Sequence, residues 1–362
     1  MPSMNVGQKI NNIRRAIMHS LTQNIGSSNI NKKIAWNDET IKNVLICRPN
    51  NRLGNQLLVT PLVKEVSEIF PNCKIDLFVR GSLAPIIFEN YENIDRIIKL
   101  PKKPFKELFS YIKVWGSLRK HHYDMVINVD SNSSSGRLST KFTNARFKFF
   151  NDFDEELKVQ YEDYIHIAKF PVYNFRKYLN QLGLPVMDKP LPSLDLKLNV
   201  AEIIKGKEVL DSIVSCKKKT ICLYTFATGD KCYSEIWWAD TYEKIKNEYD
   251  ETYNILEVLP IENVSQIGFK ATSYYSKDIR EMGALIANTE LFIAADSGIM
   301  HLASSVKTTT VGLFSVTDIN KYQPYNNDSI AINTNITTTE DLINEINSIL
   351  KKKDKIQLGH AI

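Results

Sequence analysis

No apolar run in the chain reaches the roughly 18 residues that a membrane-spanning helix needs, because Lys, Asp, Asn or Arg interrupts every candidate, so no spanning helix is expected. A secretory leader is not expected either. Arg14 and Arg15 fall in the middle of the only apolar stretch near the start, where a leader keeps an unbroken hydrophobic region. Cysteine is scarce: Cys47, Cys73, Cys216, Cys222 and Cys232 form an odd set without a Cys-x-x-Cys pair or a His at zinc-finger spacing. A disulfide scaffold and a structural zinc site are thereby excluded, and reduced, unligated thiols are expected. Charge of one sign is nearly lacking as well, since 46 Lys and Arg against 41 Asp and Glu leave only +5. The basic residues are spread out with no interleaved aromatic ladder, so the excess suits an anionic substrate or an acidic lipid face and not a nucleic acid.

What is present is an ordinary globular composition, 43% hydrophobic and 24% charged. At 362 residues, two domains are expected. Ile10, Ile13, Ile17 and Leu21 recur three and four apart among Lys9, Arg14 and Arg15, the pattern of a short basic amphipathic helix, followed by a polar linker to about residue 42. Such a helix either packs on the body of the protein or rests on an anionic membrane face.

From Val44 the chain alternates strand and helix. VLIC is a buried strand, Leu57 to Ile69 a helix ended at Phe70-Pro71, and KIDLFVR a second strand. Ile94–Leu100, a helix around 106–121, and DMVINVD repeat the unit, and residues 151–184 read as helical up to Gly183. LPVMDKPLPSLDL, with three prolines in eight positions, reads as an interdomain connector. The alternation then restarts with KKTICLYTF, a helix 240–249, TYNILEVLP, a helix 276–288, ELFIAAD, TTTVGLFS and a last helix 338–352. Two successive α/β sheets of parallel strands follow. The expected division is 1–42 for the helix and linker, 43–190 for a first Rossmann-like domain and 191–362 for a second.

Three segments gather chemistry. In VLICRPNNRLGNQLLVTP a strand delivers a loop onto a helix N-terminus, with Gly54 for close backbone approach and the fork-shaped donors of Arg48 and Arg52 for carboxylate or phosphate. A purely structural strand-to-helix turn reads the same way. In YTFATGDKCYSEIWW, Thr225, Thr228, Gly229 and Lys231 form a diphosphate cradle, while Trp237 and Trp238 fit stapling of helix to sheet better than stacking on a sugar. In ELFIAADSGIMHLASS a strand ends at Asp296 and a helix opens at Ser297–Ile299, the kind of carboxyl edge at which open α/β sheets bind ligands. There Asp296 or Ser297 is either a helix cap or a ligand group, and His301 either a buried structural imidazole or a donor to phosphate.

Taken in order and spacing, these segments resemble glycosyltransferase family 9, the heptosyltransferases of bacterial lipopolysaccharide assembly. The resemblance spans about residues 43–350. The early R-x-x-x-x-G-D motif appears as Arg48, Gly54 and Asn55 with Pro61 in the following helix, and the late D-[TS]-G-x-x-H-L-A motif as Asp296, Ser297, Gly298, His301, Leu302 and Ala303. It implies an α/β GT-B fold, two Rossmann-like domains facing across a cleft, with the acceptor held by the first and the nucleotide sugar by the second. It further implies inverting transfer from an ADP-sugar, usually ADP-heptose, to a lipid-linked saccharide at the cytoplasmic face of the inner membrane, with no separate cofactor; metal independence is expected from the lack of an acidic metal-binding motif. Residue by residue, Thr225, Thr228, Gly229, Lys231, Glu257, Asp296, Ser297, Gly298 and His301 match the donor site, Glu257 as the acid that grips the ribose. Arg48, Arg52, Gly54 and Asn55 match the acceptor site.

Two positions depart from the family pattern. Asn55 stands where the family has the Asp that takes the acceptor proton, and an amide cannot do so at neutral pH. Either Asp130 or Asp230 substitutes, the acceptor is itself acidic, or the enzyme is slow. Glu235 stands where relatives carry a Lys that neutralises the leaving diphosphate, a role that Lys231 would take instead. Lys231, His301 and the site of the missing base are therefore the expected catalytic positions. A degenerate member that binds nucleotide or glycan without transfer is the alternative.

Overall fold

The computed structural model describes residues 20–22, 25–26, 41–101, 107–184 and 189–359. The expected N-terminal basic helix, most of the linker after it and part of the proline-rich connector lie outside the described residues. The chain divides into two compact units. The first takes the chain up to Arg52 and Val59–Pro192; the second takes Leu53–Leu58 and everything from Ser193. Among the described residues no helix is long and apolar enough to cross a membrane.

In the first unit, β1 (Asn43–Arg48), β2 (Lys74–Arg80), β3 (Ile94–Leu100), β4 (His122–Asn128) and β5 (Asn144–Phe149) form a parallel sheet in the order β3-β2-β1-β4-β5. β1 is buried at every position after Asn43, as a strand covered on both faces must be. The connections are helical: α2 (Thr60–Ile69) after β1, preceded in the chain by α1 (Leu53–Leu57), which belongs to the second unit, then α3 (Ala84–Ile87) after β2, α4 (Leu108–Lys120) after β3, and α5 (Ser134–Phe142) after β4. α6 (Glu155–Gln160) and α7 (Phe170–Gln181) close the unit. α4 presses Tyr111, Val114, Trp115 and Leu118, one stripe at helical spacing, onto Leu45, Phe78, Leu100 and Val126.

The second unit repeats the plan with β6 (Lys219–Tyr224), β7 (Tyr253–Val258), β8 (Thr272–Tyr274), β9 (Leu291–Ala295), β10 (Thr310–Phe314) and β11 (Ile330–Asn333). Their order is β11-β10-β9-β6-β7-β8, again all parallel. α8 (Val200–Ile213), α9 (Glu235–Tyr249), α10 (Ile279–Ile286), α11 (Gly298–Ser305), α12 (Ile319–Tyr322) and α13 (Thr339–Gly359) accompany them. Trp238, Tyr242, Ile245 and Tyr249 of α9 pack on Ile221, Leu223 and Ile255, with Ile346 and Leu350 of α13 in the same core. Renumbered from its own first strand, the first sheet reads 3-2-1-4-5 and the second 3-2-1-4-5-6, the doubly wound order that places ligands where the strand sequence reverses.

Three expectations change. Residues 151–184 are not one helix: Asp154 caps α6 through the N–H of Leu157, residues 161–169 turn, and Pro171, which has no N–H to donate, sits in the first turn of α7. The helix expected from Leu57 is likewise split, α1 ending at Leu57 and α2 opening at Thr60-Pro61. The last helix runs on to Gly359. α3, α5, β5, α8, β8, α12 and β11 were not foreseen; α8 is set by a full capping box in which Asn199 and Glu202 satisfy each other's backbone N–H.

Candidate active site

The second unit reverses its strand order between β6 and β9, and the residues beyond those two strand ends converge. Asp296, the first residue past β9, is almost fully buried, and one of its carboxylate oxygens takes Lys231 Nζ at 3.2 Å and Thr317 Oγ1 at 2.7 Å. Lys231 ends a short 3-10 turn, Gly229–Lys231, on the loop after β6; Thr317 lies on the loop after β10. Ser297 caps α11 by accepting the Met300 N–H at 3.2 Å, so the positive end of that helix dipole lies beside Asp296. A single shielded lysine, a helix N-terminus and a buried carboxylate that holds the lysine in place form an arrangement suited to an anion that displaces the Lys–Asp pairing.

His301, one turn into α11, is buried, and burial pushes its imidazole down to about 4; Asp296 pulls upward in part and Lys231 pushes down. It is therefore neutral near pH 7 and acts as a hydrogen-bonding group, not a cation. α1 lies against this helix: a Cβ at Gly54 would come to 2.8 Å from His301 Cδ2, and one at Gly298 to 3.1 Å from Gly54 N. Both positions need glycine for the two backbones to approach this closely. Asn55, half-buried, follows in α1.

Thr225 and Glu257 form a second cluster at the ends of β6 and β7. Glu257 is fully buried, accepting from Thr225 Oγ1 at 2.6 Å and from Ser265 Oγ at 2.7 Å. Burial raises the carboxyl above its ordinary value, and the two hydroxyl donors pull it partly back. The loop after β7 is tied to this pair, since the Gln266 N–H donates to Thr225 Oγ1 and the N–H groups of Ile267 and Phe269 donate to Ser265 Oγ. Thr228 and Gly229 are exposed on the turn before Lys231, Gly229 with φ +68°. Asp230 is exposed beside them. Glu235 is exposed in the first turn of α9, where an acid suits the helix dipole, and Ser234 caps that helix through the Trp237 N–H. Trp238 is a core residue and Trp237 stacks on Tyr233 with ring centroids 4.2 Å apart, the stapling role expected of them.

In the first unit the strand order reverses between β1 and β4, and there Arg48, buried at the end of β1, donates Nη1 to Asp130 just beyond β4. The Asn132 N–H donates to the other carboxylate oxygen at 3.1 Å. Arg52 is exposed, and its backbone N–H donates to Asn50 Oδ1. The chain's one Asp-x-Asp sequence, Asp152-Phe153-Asp154, is engaged structurally: Asp152 pairs with buried Arg137 at 2.7 Å, and Asp154 caps α6 and pairs with Lys177 at 2.6 Å. The five cysteines are free. Thr317, Ser265 and Gln266 were missed by sequence reasoning. Their signal was the rule that carried the others, that loops leaving the carboxyl ends of parallel strands build the site.

Two parallel α/β units of doubly wound order are the architecture of the GT-B fold. Comparison with solved structures agrees. A glycosyltransferase family 9 protein from Veillonella parvula superposes with a TM-score of 0.68 at 17% identity, covering 86% of this chain and 98% of that one. The Escherichia coli heptosyltransferase WaaC with ADP gives 0.59 at 15% identity, covering 85% of this chain and 99% of that one. The family described as glycosyltransferase family 9 (heptosyltransferase) matches residues 276–350. Lipopolysaccharide heptosyltransferase 3 of Escherichia coli is 24% identical over 296 residues, 76% of this chain and 85% of that protein. The chain is similar to glycosyltransferase family 9 over residues 276–350 and, at lower identity, to heptosyltransferases over most of its length.

Proposed function

We propose that the protein transfers a sugar, heptose from ADP-heptose in the first instance, onto a lipopolysaccharide-type or other cell-envelope glycan carried on a lipid, with inversion at the anomeric carbon and without a metal ion. The observation that carries the reading is the Lys231–Asp296–Thr317 cluster at the N-terminus of α11. In a transfer from a nucleoside diphosphate sugar, negative charge builds on the departing diphosphate, and donors fixed in advance where that charge develops lower the barrier. Lys231 supplies the cation, α11 its dipole, and neutral His301 a hydrogen bond. Glu257, held by Thr225 and Ser265, presents a fixed acceptor to the ribose hydroxyls. Similarity to lipopolysaccharide heptosyltransferases and to a heptosyltransferase solved with ADP supports the ADP-sugar and the glycan acceptor.

The base that takes the acceptor proton is assigned to Asp130. Asn55 cannot serve, and Asp230 is exposed on the turn beside Lys231, whereas Asp130 stands at the switch point of the first unit with its carboxylate oriented by Arg48 and Asn132. The first unit then holds the acceptor and the second the donor, with the enzyme working from the cytoplasmic side, peripheral to the inner membrane.

The test is isothermal titration with ADP, UDP, GDP and CMP, followed by turnover of ADP-heptose. Micromolar ADP binding, about −8 kcal/mol, with the other nucleotides at least tenfold weaker, is the expected result. Preference for another nucleotide removes the heptose assignment, and no binding by any of the four removes the transfer reading.

A further inference from the structure

We propose that the outward face of α4, with Phe142 beside it, docks the protein on an anionic phospholipid surface. At 100° per residue, Tyr111, Val114, Trp115 and Leu118 occupy the arc of α4 that packs on the sheet, Phe109 falls on the opposite arc, and Ile112 and Leu108 lie between the two, Leu108 next to Trp115. Leu108, Ile112 and Phe109 are exposed by 54%, 59% and 90%, and Phe142, whose ring meets the edge of Trp115 at 6.0 Å, by 50%. Phe109 is among the most exposed large apolar side chains of the described residues. A monomer in water gains nothing from exposing several large apolar groups along one helix and its neighbour, which suits a surface that is covered.

Charge says by what. Lys113, Arg119 and Lys120 complete the same outward arc, all exposed, and none meets a carboxylate among the described residues. α4 contains no Asp or Glu from Leu108 to Lys120, Glu107 at its N-cap being the one acid at its border. Lys141 continues the basic margin next to Phe142. Large apolar side chains rimmed by unpaired cations are the makeup of a helix lying in a membrane interface, where the apolar groups enter the acyl boundary and the cations meet anionic headgroups. α4 also runs antiparallel to the strands, as a crossover helix does, so its apolar first half lies at the carboxyl edge of the sheet where Arg48 and Asp130 stand.

The proposal rests on the transferase reading only for the reason a lipid surface is met, namely an acceptor carried on lipid; its test is separate. The full chain is floated with phosphatidylcholine vesicles, with and without about 30% phosphatidylglycerol, at roughly 50 and 500 mM salt. Wild type is expected to float with the anionic vesicles and to release at high salt. F109S/I112S should bind them at least tenfold more weakly, and K113E/K120E should lose the anionic preference. Both variants alter exposed groups, so unchanged melting and unchanged ADP affinity show that they remain folded. Wild type that floats with neither vesicle overturns the proposal. So does equal flotation of wild type and both variants, which assigns docking to another segment, and so does a wild-type dimer that F109S/I112S makes monomeric, which assigns the patch to self-association. Failure to bind any nucleotide counts against the transferase reading and leaves the flotation result standing.

Discussion

At the residue scale, Lys231 and Asp296 hold each other at 3.2 Å, and an arriving diphosphate must outcompete the carboxylate for the ammonium. The lysine side chain is 32% exposed and the aspartate 8%, so the carboxylate stays in place while the lysine turns to the ligand. On the proposed function, Lys231→Ala removes the cation that faces the developing charge. Turnover should fall by about 10²- to 10³-fold, as when a preorganised donor is removed elsewhere, with Lys231→Arg intermediate. Steady-state kinetics with ADP-heptose decide it, and turnover within twofold of wild type removes Lys231 from the mechanism. His301 gives a prediction in pH. Its folded value of about 4 lies below the ordinary 6.5, so between those limits the unfolded chain takes up a proton that the folded chain does not. The stability this histidine contributes is full above pH 6.5 and is lost as pH falls toward 4, at roughly 1.4 kcal/mol per pH unit at most, or up to about 3 kcal/mol. Urea unfolding at pH 7, 5.5 and 4 should show wild type losing that much more than His301→Gln; parallel losses show that the imidazole is not buried neutral.

At the element scale, the same substitution should act in opposite directions on two helices. Gly54 in α1 faces the His301 ring, where an added Cβ would be 2.8 Å from Cδ2, and α11 is too well buried to yield. Gly54→Ala is overpacking and should cost about 1–3 kcal/mol, with loss of nucleotide affinity because α11 is displaced. Gly116 in α4 has nothing within 4 Å of an added Cβ, and Gly116→Ala should stabilise by up to about 1 kcal/mol through helix propensity alone. Urea midpoints of the two variants measure both, and equal shifts would contradict the α1–α11 contact. The buried strands were legible because runs such as VLIC and LFIAA are apolar at every position, the mark of parallel strands covered on both faces. The interruption between α6 and α7 was not, because apolar spacing ran on through residues 161–169 while Asp163 was drawn off to Lys169 and Tyr173. The site divides in the same way. Asp296, Ser297 and Lys231 were visible as strand-end residues, but the pairing of Lys231 with Asp296 and the participation of Thr317 join positions 65 and 21 residues apart, which no local pattern encodes.

At the scale of the whole molecule, each unit sets a cation against a carboxylate at its switch point, Arg48 with Asp130 in the first and Lys231 with Asp296 in the second. The repetition comes from topology, since adjacent parallel strands whose connections leave in opposite directions open a crevice at their carboxyl ends, and charged residues placed there are held by backbone and not by long flexible loops. The two pairs are nevertheless set differently. In the first the cation is the buried partner, with Arg48 6% exposed and Asp130 32%; in the second the carboxylate is, with Asp296 8% and Lys231 32%. Each unit therefore presents the opposite charge to solvent, an acid in the first and a base in the second, which suits proton removal from an acceptor hydroxyl and capture of an anionic leaving group. Asp130→Asn should accordingly lower transfer by at least about 100-fold, the scale of a lost general base, while leaving ADP affinity within about twofold. Lys231→Ala should weaken ADP by about tenfold or more, the scale of one charge-assisted contact. Titration and turnover measured on the same preparations separate these effects. Asp130→Asn that binds and transfers as wild type does would return the missing base to the acceptor itself, and Asn55→Asp would then be the variant expected to raise turnover.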